Sequence, residues 1–183
     1  MPTKSVCVYC GSRTGRLPAY TEAARGLGTG LAQAGWQLVY GAGDVGLMGE
    51  VARAAQAAGG DTFGVIPEHL VRREVGKHDL TRYVVTQTMH ERKKVMFMNA
   101  QAVVVLPGGA GSLDELFEVL TWRQLGLHDK PIVILNTEGY WDPLRALIGQ
   151  ITAEGFADPS LETLLSWADS PEETIALLRG ALA

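Results

Sequence analysis

Cysteine and histidine are scarce in this chain of 183 residues, which holds two of the first and four of the second. Two thiols cannot supply the disulfide framework on which small cysteine-rich folds depend. His69, His78, His90 and His128 are scattered, and His90-Glu91 lacks the second histidine of a zincin helix, so no metal site is expected. No apolar run reaches the length of a membrane span, and no signal-peptide core follows Met1. The expectation is a cytoplasmic protein with no membrane partner. Charge of one sign is lacking too: 16 Lys and Arg against 20 Asp and Glu leave −4, which argues against a nucleic-acid polymer as partner. Neither a G-x-S-x-G elbow nor a P-loop lysine motif occurs.

What is present is an alternation. Hydrophobic residues make up 46% and charged residues 20%, a globular profile that fits a single domain over residues 1–183. Short β-branched runs at 5–10, 36–40, 62–66, 83–86, 102–106 and 131–135 predict strands. Helical patterns cover 19–34, 47–58, 89–100, 112–125, 142–154, 160–166 and 171–182. Runs such as Ala102-Val103-Val104-Val105-Leu106 are apolar without alternation, as strands covered on both faces are. The expected fold is α/β, a Rossmann-like doubly wound parallel sheet flanked by helices. Cys7 and Cys10 form a C-x-x-C pair inside the first strand rather than at a helix start. They are expected to be reduced, buried thiols on opposite faces rather than a redox pair.

Three glycine-bearing loops follow strands and should meet along the carboxyl edge of the sheet. The first is Cys10-Gly11-Ser12-Arg13 and the second runs from Gly41 to Gly49. The third, Pro107-Gly108-Gly109-Ala110-Gly111-Ser112-Leu113-Asp114-Glu115, brings three glycines and a hydroxyl to a helix start, with a carboxylate one turn in. Exposed N–H groups and the positive helix terminus there suit a phosphate. Two further readings stand beside this one. Ser112 and Glu115 fit an S-x-x-E capping box. Gly41, Gly43 and Gly46, with Asp61 downstream, fit the dinucleotide fingerprint, although that motif normally follows the first strand.

At roughly 100° per residue, Arg92 falls between Met89 and Met96 on the apolar stripe of its helix, with Lys93 at the border. His90, Glu91 and Lys94 point elsewhere. An inward arginine needs an anion or carboxylate partner, or it snorkels. On the next helix, Leu113, Leu116, Phe117 and Leu120 form the expected core stripe. Glu115, Val119 and Trp122 form a second one, which either faces a partner subunit or is covered by the C-terminal helices.

Together these segments resemble the Lonely Guy family, the cytokinin-activating phosphoribohydrolases of plants with many bacterial and fungal relatives, often labelled "lysine decarboxylase-like". The family's P-G-G-x-G-T-x-x-E is similar to Pro107 through Glu115, its M-H-x-R-K to Met89 through Lys93, its G-G-G-x-x-G-L-M-G to Gly41 through Gly49, and its Y-C-G-S to Tyr9 through Ser12. Ser112 stands where threonine is usual, Ala42 where glycine is common and Arg13 where a small residue is common, which bears on substrate preference. The resemblance implies hydrolysis of the N-glycosidic bond of a nucleoside 5′-monophosphate, without a cofactor. The products would be adenine, or an N6-substituted adenine, and ribose 5-phosphate. It places catalysis on Arg92 and Glu115. It places substrate and phosphate binding on Gly11, Ser12, Gly41, Gly43, Gly46, Met48, Glu74, Met89, Lys93, Pro107, Gly108, Gly109, Ala110, Gly111, Ser112, Leu113, Asp114 and Thr121, in a homodimer. The alternative is a non-catalytic nucleotide or molybdenum-cofactor carrier on the same fold.

Overall fold

A computed structural model describes residues 4–71 and 76–183. The chain runs β1 (Ser5–Tyr9), α1 (Pro18–Gln33), β2 (Gln37–Tyr40), α2 (Gly46–Ala57), β3 (Thr62–Pro67), β4 (Arg82–Thr86), α3 (Met89–Met98) and β5 (Ala102–Val105). It continues with α4 (Ala110–Gln124), β6 (Ile132–Leu135), α5 (Asp142–Ala153), α6 (Ser160–Thr163), β7 (Leu165–Ala168) and α7 (Pro171–Ala181). The seven strands form one sheet in the order β4-β3-β2-β1-β5-β6-β7. Every neighbouring pair is parallel. This is the expected doubly wound architecture, and its apolar central strands follow from burial on both faces.

Alternation along β1 shows the two layers. Val6 and Val8 join the core under α1, α2 and α7, whereas Cys7 and Tyr9 join the core under α3, α4 and α5. The two cysteines are buried thiols, Cys10 in the first core and Cys7 in the second, as the strand geometry requires. Burial, with the Glu115 charge next in importance, pushes the Cys7 thiol far above its ordinary range, so it is an inert core residue.

Two expectations are corrected. Residues 160–166 are not one helix: α6 is a single turn, and Leu165–Ala168 pairs with β6 from Ile132↔Leu165 to Leu135↔Ala168. Leu165-Ser166-Trp167-Ala168 holds no β-branched residue, unlike the other six strands, and β6 supplies the pairing that selects it. On α4 the core stripe is Leu116, Val119 and Leu120, while Leu113 and Phe117 are only partly covered. Val119 is thus core, and Phe97 stacks edge-on to Trp122 with ring centroids 5.0 Å apart.

The connection from α4 to β6 is tied by His128. Its Nδ1 accepts from the Lys130 N–H at 3.1 Å, so Nε2 carries the proton and donates to the Val119 carbonyl at 2.8 Å. Burial lowers its pKa below the ordinary 6.5, the carbonyl partly opposes this, and the Lys130 and Arg123 charges add to the lowering. The unfolded chain therefore takes up this proton more readily than the folded one. The stability contributed is present above about pH 6.5 and is lost as pH falls below it. Between about pH 7.5 and pH 5.5 the parent's melting temperature should fall further than that of His128→Gln. Parallel curves would exclude His128 as the titrating group.

Candidate active site

The chain builds outward from β1 to β4 on one side and from β5 to β7 on the other, so the loops leaving β1 and β5 diverge at the sheet's switch point. A crevice opens there, beyond the carboxyl ends of the strands. Backbone hydrogen bonds stitch its floor. Gly11 N–H donates to the Pro107 carbonyl at 3.0 Å, and Leu47 N–H donates to the Gly11 carbonyl at 3.0 Å. Gly46, at φ 59°, lies so close to Ser12 and Arg13 that any Cβ would collide with their backbone. Ala42, where glycine is common in the resembling family, adopts φ 57° and is fully buried, a conformation glycine holds more cheaply.

These loops enclose a cavity of about 530 Å³, within the range of small-molecule sites. Of the residues expected at a site, Gly11, Ser12, Gly41, Met48, Met89, Arg92, Pro107, Gly108, Gly109, Ala110, Gly111, Ser112 and Glu115 line it. Arg13 lines it as well. Gly46 supports it from beneath, and Gly43 bridges to Gly76 beside it. Glu74 lies outside the described residues. Lys93, Leu113, Asp114 and Thr121 do not line it. The last three face a shallower depression on the other side of α4, which meets the cavity at Ala110. Thr121 is eleven residues along α4 from Ala110, roughly 16 Å. Within one chain it does not reach a ligand bound at the helix start.

The glycines of the third loop divide by task. A Cβ on Gly108 would collide with the Ser112 side chain, so that glycine serves packing. Gly109 and Gly111 have nothing within 4 Å of an added Cβ, so their bare faces look into space a ligand can occupy. α4 starts at Ala110 with Gly109 as its N-cap and no side-chain cap, which removes the alternative reading of Ser112 and Glu115 as a capping box. Ser112 sits inside the first turn, buried, and Glu115 lies on the cavity wall. The first-turn N–H groups and the positive end of α4 thus meet the cavity without a capping side chain. A capping box exists instead on α3. There Thr88 Oγ1 accepts from Glu91 N–H at 3.1 Å, and Glu91 accepts from Thr88 N–H at 3.2 Å. The T-x-x-E spacing at 88–91 carries that signal in the sequence.

That cap starts α3 so that Arg92 turns inward. It is 4% exposed, donating from Nε to the Val65 carbonyl at 3.0 Å and from Nη2 to the Gly41 carbonyl at 2.7 Å. A Cβ at position 41 would occupy the place of the guanidinium, which explains that glycine without a dinucleotide. Asp61 immediately precedes β3, at the amino edge of the sheet and opposite the cavity, so the fingerprint reading loses its ribose carboxylate. Lys93 is buried more deeply than its border position suggests. It bridges Asp114 at 3.0 Å and Glu118 at 2.8 Å. Burial lowers its pKa, but the two carboxylates outweigh that and hold it above its usual value. Its chemistry is to lock α3 to α4. Lys94 is exposed.

Met96, from the apolar stripe of α3, also lines the wall, as do residues the sequence reading did not single out, among them Thr14 and Gly15 after β1, Tyr20 on α1, Leu70 after β3 and Tyr140 after β6. The rule that ligands lie beyond strand carboxyl ends points to Leu70 and Tyr140 as well, but neither neighbourhood has a glycine signature like those of the other loops. Among the described residues no group of His, Cys, Asp and Glu could hold a metal, and no helix is long and apolar enough to cross a membrane.

Residues 48–178 match the protein family described as "Possible lysine decarboxylase". The chain is 42% identical over 175 residues to the cytokinin riboside 5′-monophosphate phosphoribohydrolase LOG7 of Arabidopsis thaliana, covering 96% of this chain and 81% of that protein. It is also 42% identical to the corresponding LOG enzyme of Oryza sativa subsp. japonica, covering 96% and 72%. Among solved structures, the molybdenum cofactor binding protein of Rippkaea orientalis superposes with a TM-score of 0.77 at 23% identity, covering 100% of this chain and 99% of that one. That identity speaks for the fold alone. With relatives at this identity, each covered over more than two thirds of its length, the chain belongs to the LOG family, within the group described as possible lysine decarboxylases.

Proposed function

We propose that this protein hydrolyses the N-glycosidic bond of cytokinin riboside 5′-monophosphates, and of AMP alongside them. The products are the free base and ribose 5-phosphate. The observation that carries the reading is the meeting, in one cavity, of an uncapped helix start, a carboxylate and a buried guanidinium. In this reading the N–H groups from Gly109 to Ser112 and the Ser112 hydroxyl hold the 5′-phosphate. The base lies toward Met48, Met89 and Met96, a soft apolar wall suited to a substituted purine. Phosphate binding away from the scissile bond supplies energy for positioning.

As the bond from C1′ to the base breaks, its electron pair leaves with the base and positive charge develops on the ribose. The Glu115 carboxylate stabilises that charge and takes a proton from the water whose oxygen adds to C1′. The departing base is reprotonated from solvent. Arg92, fixed by two backbone carbonyls, supplies a positive charge to the same cavity and orients substrate oxygens.

A lysine-bound pyridoxal phosphate, which the family description suggests, does not fit. Among the described residues no lysine lines the cavity, and Lys93 is committed to its ion pairs. A non-catalytic carrier has no need of paired Arg92 and Glu115. Two buried thiols that require no oxidising compartment support a cytoplasmic setting. The partly covered outer face of α4, from Leu113 through Phe117 to Trp122, supports a homodimer.

The test is incubation with AMP and with isopentenyladenosine monophosphate, following free base by chromatography. Folded protein that releases base from neither would refute the reading. The glycine division gives a second test. Gly108→Ala should cost about 1–3 kcal/mol of stability through overpacking. Gly111→Ala, in open space on a helix, should be more stable by up to ~1 kcal/mol, yet bind ribose 5-phosphate more weakly. A Gly111→Ala protein with unchanged affinity would remove the phosphate from this loop.

A further inference from the structure

We propose that Tyr140 is a positioning residue that orders the anion-binding loop before the ligand arrives. Its hydroxyl donates to the Gly108 carbonyl at 2.6 Å, reaching back 32 residues from the turn after β6. The carbonyl of Gly108 and the N–H of Gly109 belong to one trans peptide and point to opposite sides. Holding the first on Tyr140 therefore fixes the direction of the second.

Pro107 and Gly108 carry the last two carbonyls before the N-cap of α4. Either one, swung toward an anion, would repel it. The Pro107 carbonyl is taken by Gly11 N–H at 3.0 Å and the Gly108 carbonyl by Tyr140, so both are turned onto protein donors. At Gly109 itself no side chain restrains the backbone, and nothing lies within 4 Å of where a Cβ would be. A glycine pair without such a tie loses more entropy on ordering than any other residues would.

Tyr140 is itself well held. Its ring meets Trp141 edge-on at 4.7 Å and Tyr20 at 5.6 Å. The turn that presents it is closed by Asn136. That residue's backbone N–H donates to the Ala168 carbonyl at 2.7 Å, and its Oδ1 accepts from Trp141 N–H at 2.7 Å. Its Nδ2 donates to Asp142 at 2.8 Å. Glu138 and Gly139, at φ 55° and 67°, make the tight reversal. A turn from the β6 side, braced by these contacts, thus sets the loop that leaves the neighbouring strand β5.

The inference rests on the phosphoribohydrolase reading for the identity of the anion, ribose 5-phosphate, which serves as the probe. Tyr140→Phe keeps the ring contacts and removes only the donor. Calorimetric titration should show ribose 5-phosphate affinity about five- to tenfold weaker, the effect of one hydrogen bond of ordinary strength. Adenine affinity should be unchanged. With nucleoside 5′-monophosphate, KM should rise by the same factor while kcat stays within about twofold. The melting temperature should stay near the parent's. Unchanged ribose 5-phosphate affinity would overturn the proposal. So would equal losses for ribose 5-phosphate and adenine, or a loss accompanied by a collapse in melting temperature. A parent protein that binds ribose 5-phosphate but releases no base would defeat the phosphoribohydrolase reading, while the binding comparison still decides the role of Tyr140. A parent that binds no ribose 5-phosphate would defeat both.

Discussion

Glu115→Gln is expected to lower kcat by about a thousandfold while leaving ribose 5-phosphate binding and melting temperature near the parent's. Glutamine keeps the size and the polar end of the side chain but not its charge. Charge is what an oxocarbenium-like ribose needs, and losses of about 10²–10³ are usual when one preorganised electrostatic group is removed. The contrast between turnover and binding matters because α4 begins at Ala110 with Gly109 as its N-cap, so Glu115 does not cap the helix. A Glu115→Gln protein that lost stability but kept kcat would assign the carboxylate a structural role. Measuring both on the same preparation settles which.

Arg92→Lys is expected to cost both activity and stability, and that double loss distinguishes it from Glu115→Gln. The guanidinium donates at once to Val65 on β3 and to Gly41 after β2. An ammonium is a single compact point and cannot reproduce that planar fork. One buried carbonyl would then go unsatisfied, at about 1–3 kcal/mol. The charge would also move within the cavity. We expect kcat/KM to fall by about 10²-fold, since misplacement of about 1 Å has that effect. Wild-type kcat/KM in Arg92→Lys would show that position 92 needs only a positive charge.

Local pattern made much of this legible. Six of the seven strands lie within a residue or so of their predicted bounds, because a buried parallel strand is a short β-branched run whatever surrounds it. Arg92 was identifiable as inward-facing from helical geometry alone, since 3.6 residues per turn placed it between Met89 and Met96. Lys93 at the border was not resolved by the same reasoning. Its burial depends on Asp114 and Glu118, 21 and 25 residues away on another helix. The helical pattern places the start of α4 at Ser112, two residues late, because a serine followed three residues later by glutamate is a good cap signal. Here Gly109 takes the cap position instead.

Periodicity and glycine placement, read from the residues alone, were enough for the α/β class, the parallel sheet and the three loops that meet at one edge. Those features are encoded within a few neighbouring positions. Four others emerged only when the chain closed: β7, the division of the third loop's glycines between packing and open space, the committed lysine, and the tyrosine that holds the Gly108 carbonyl. Each rests on a partner distant along the chain or on the space left between elements, and no local window contains either. The site is thus readable as a set of loops from sequence. The direction in which those loops present their N–H groups is a property of the fold.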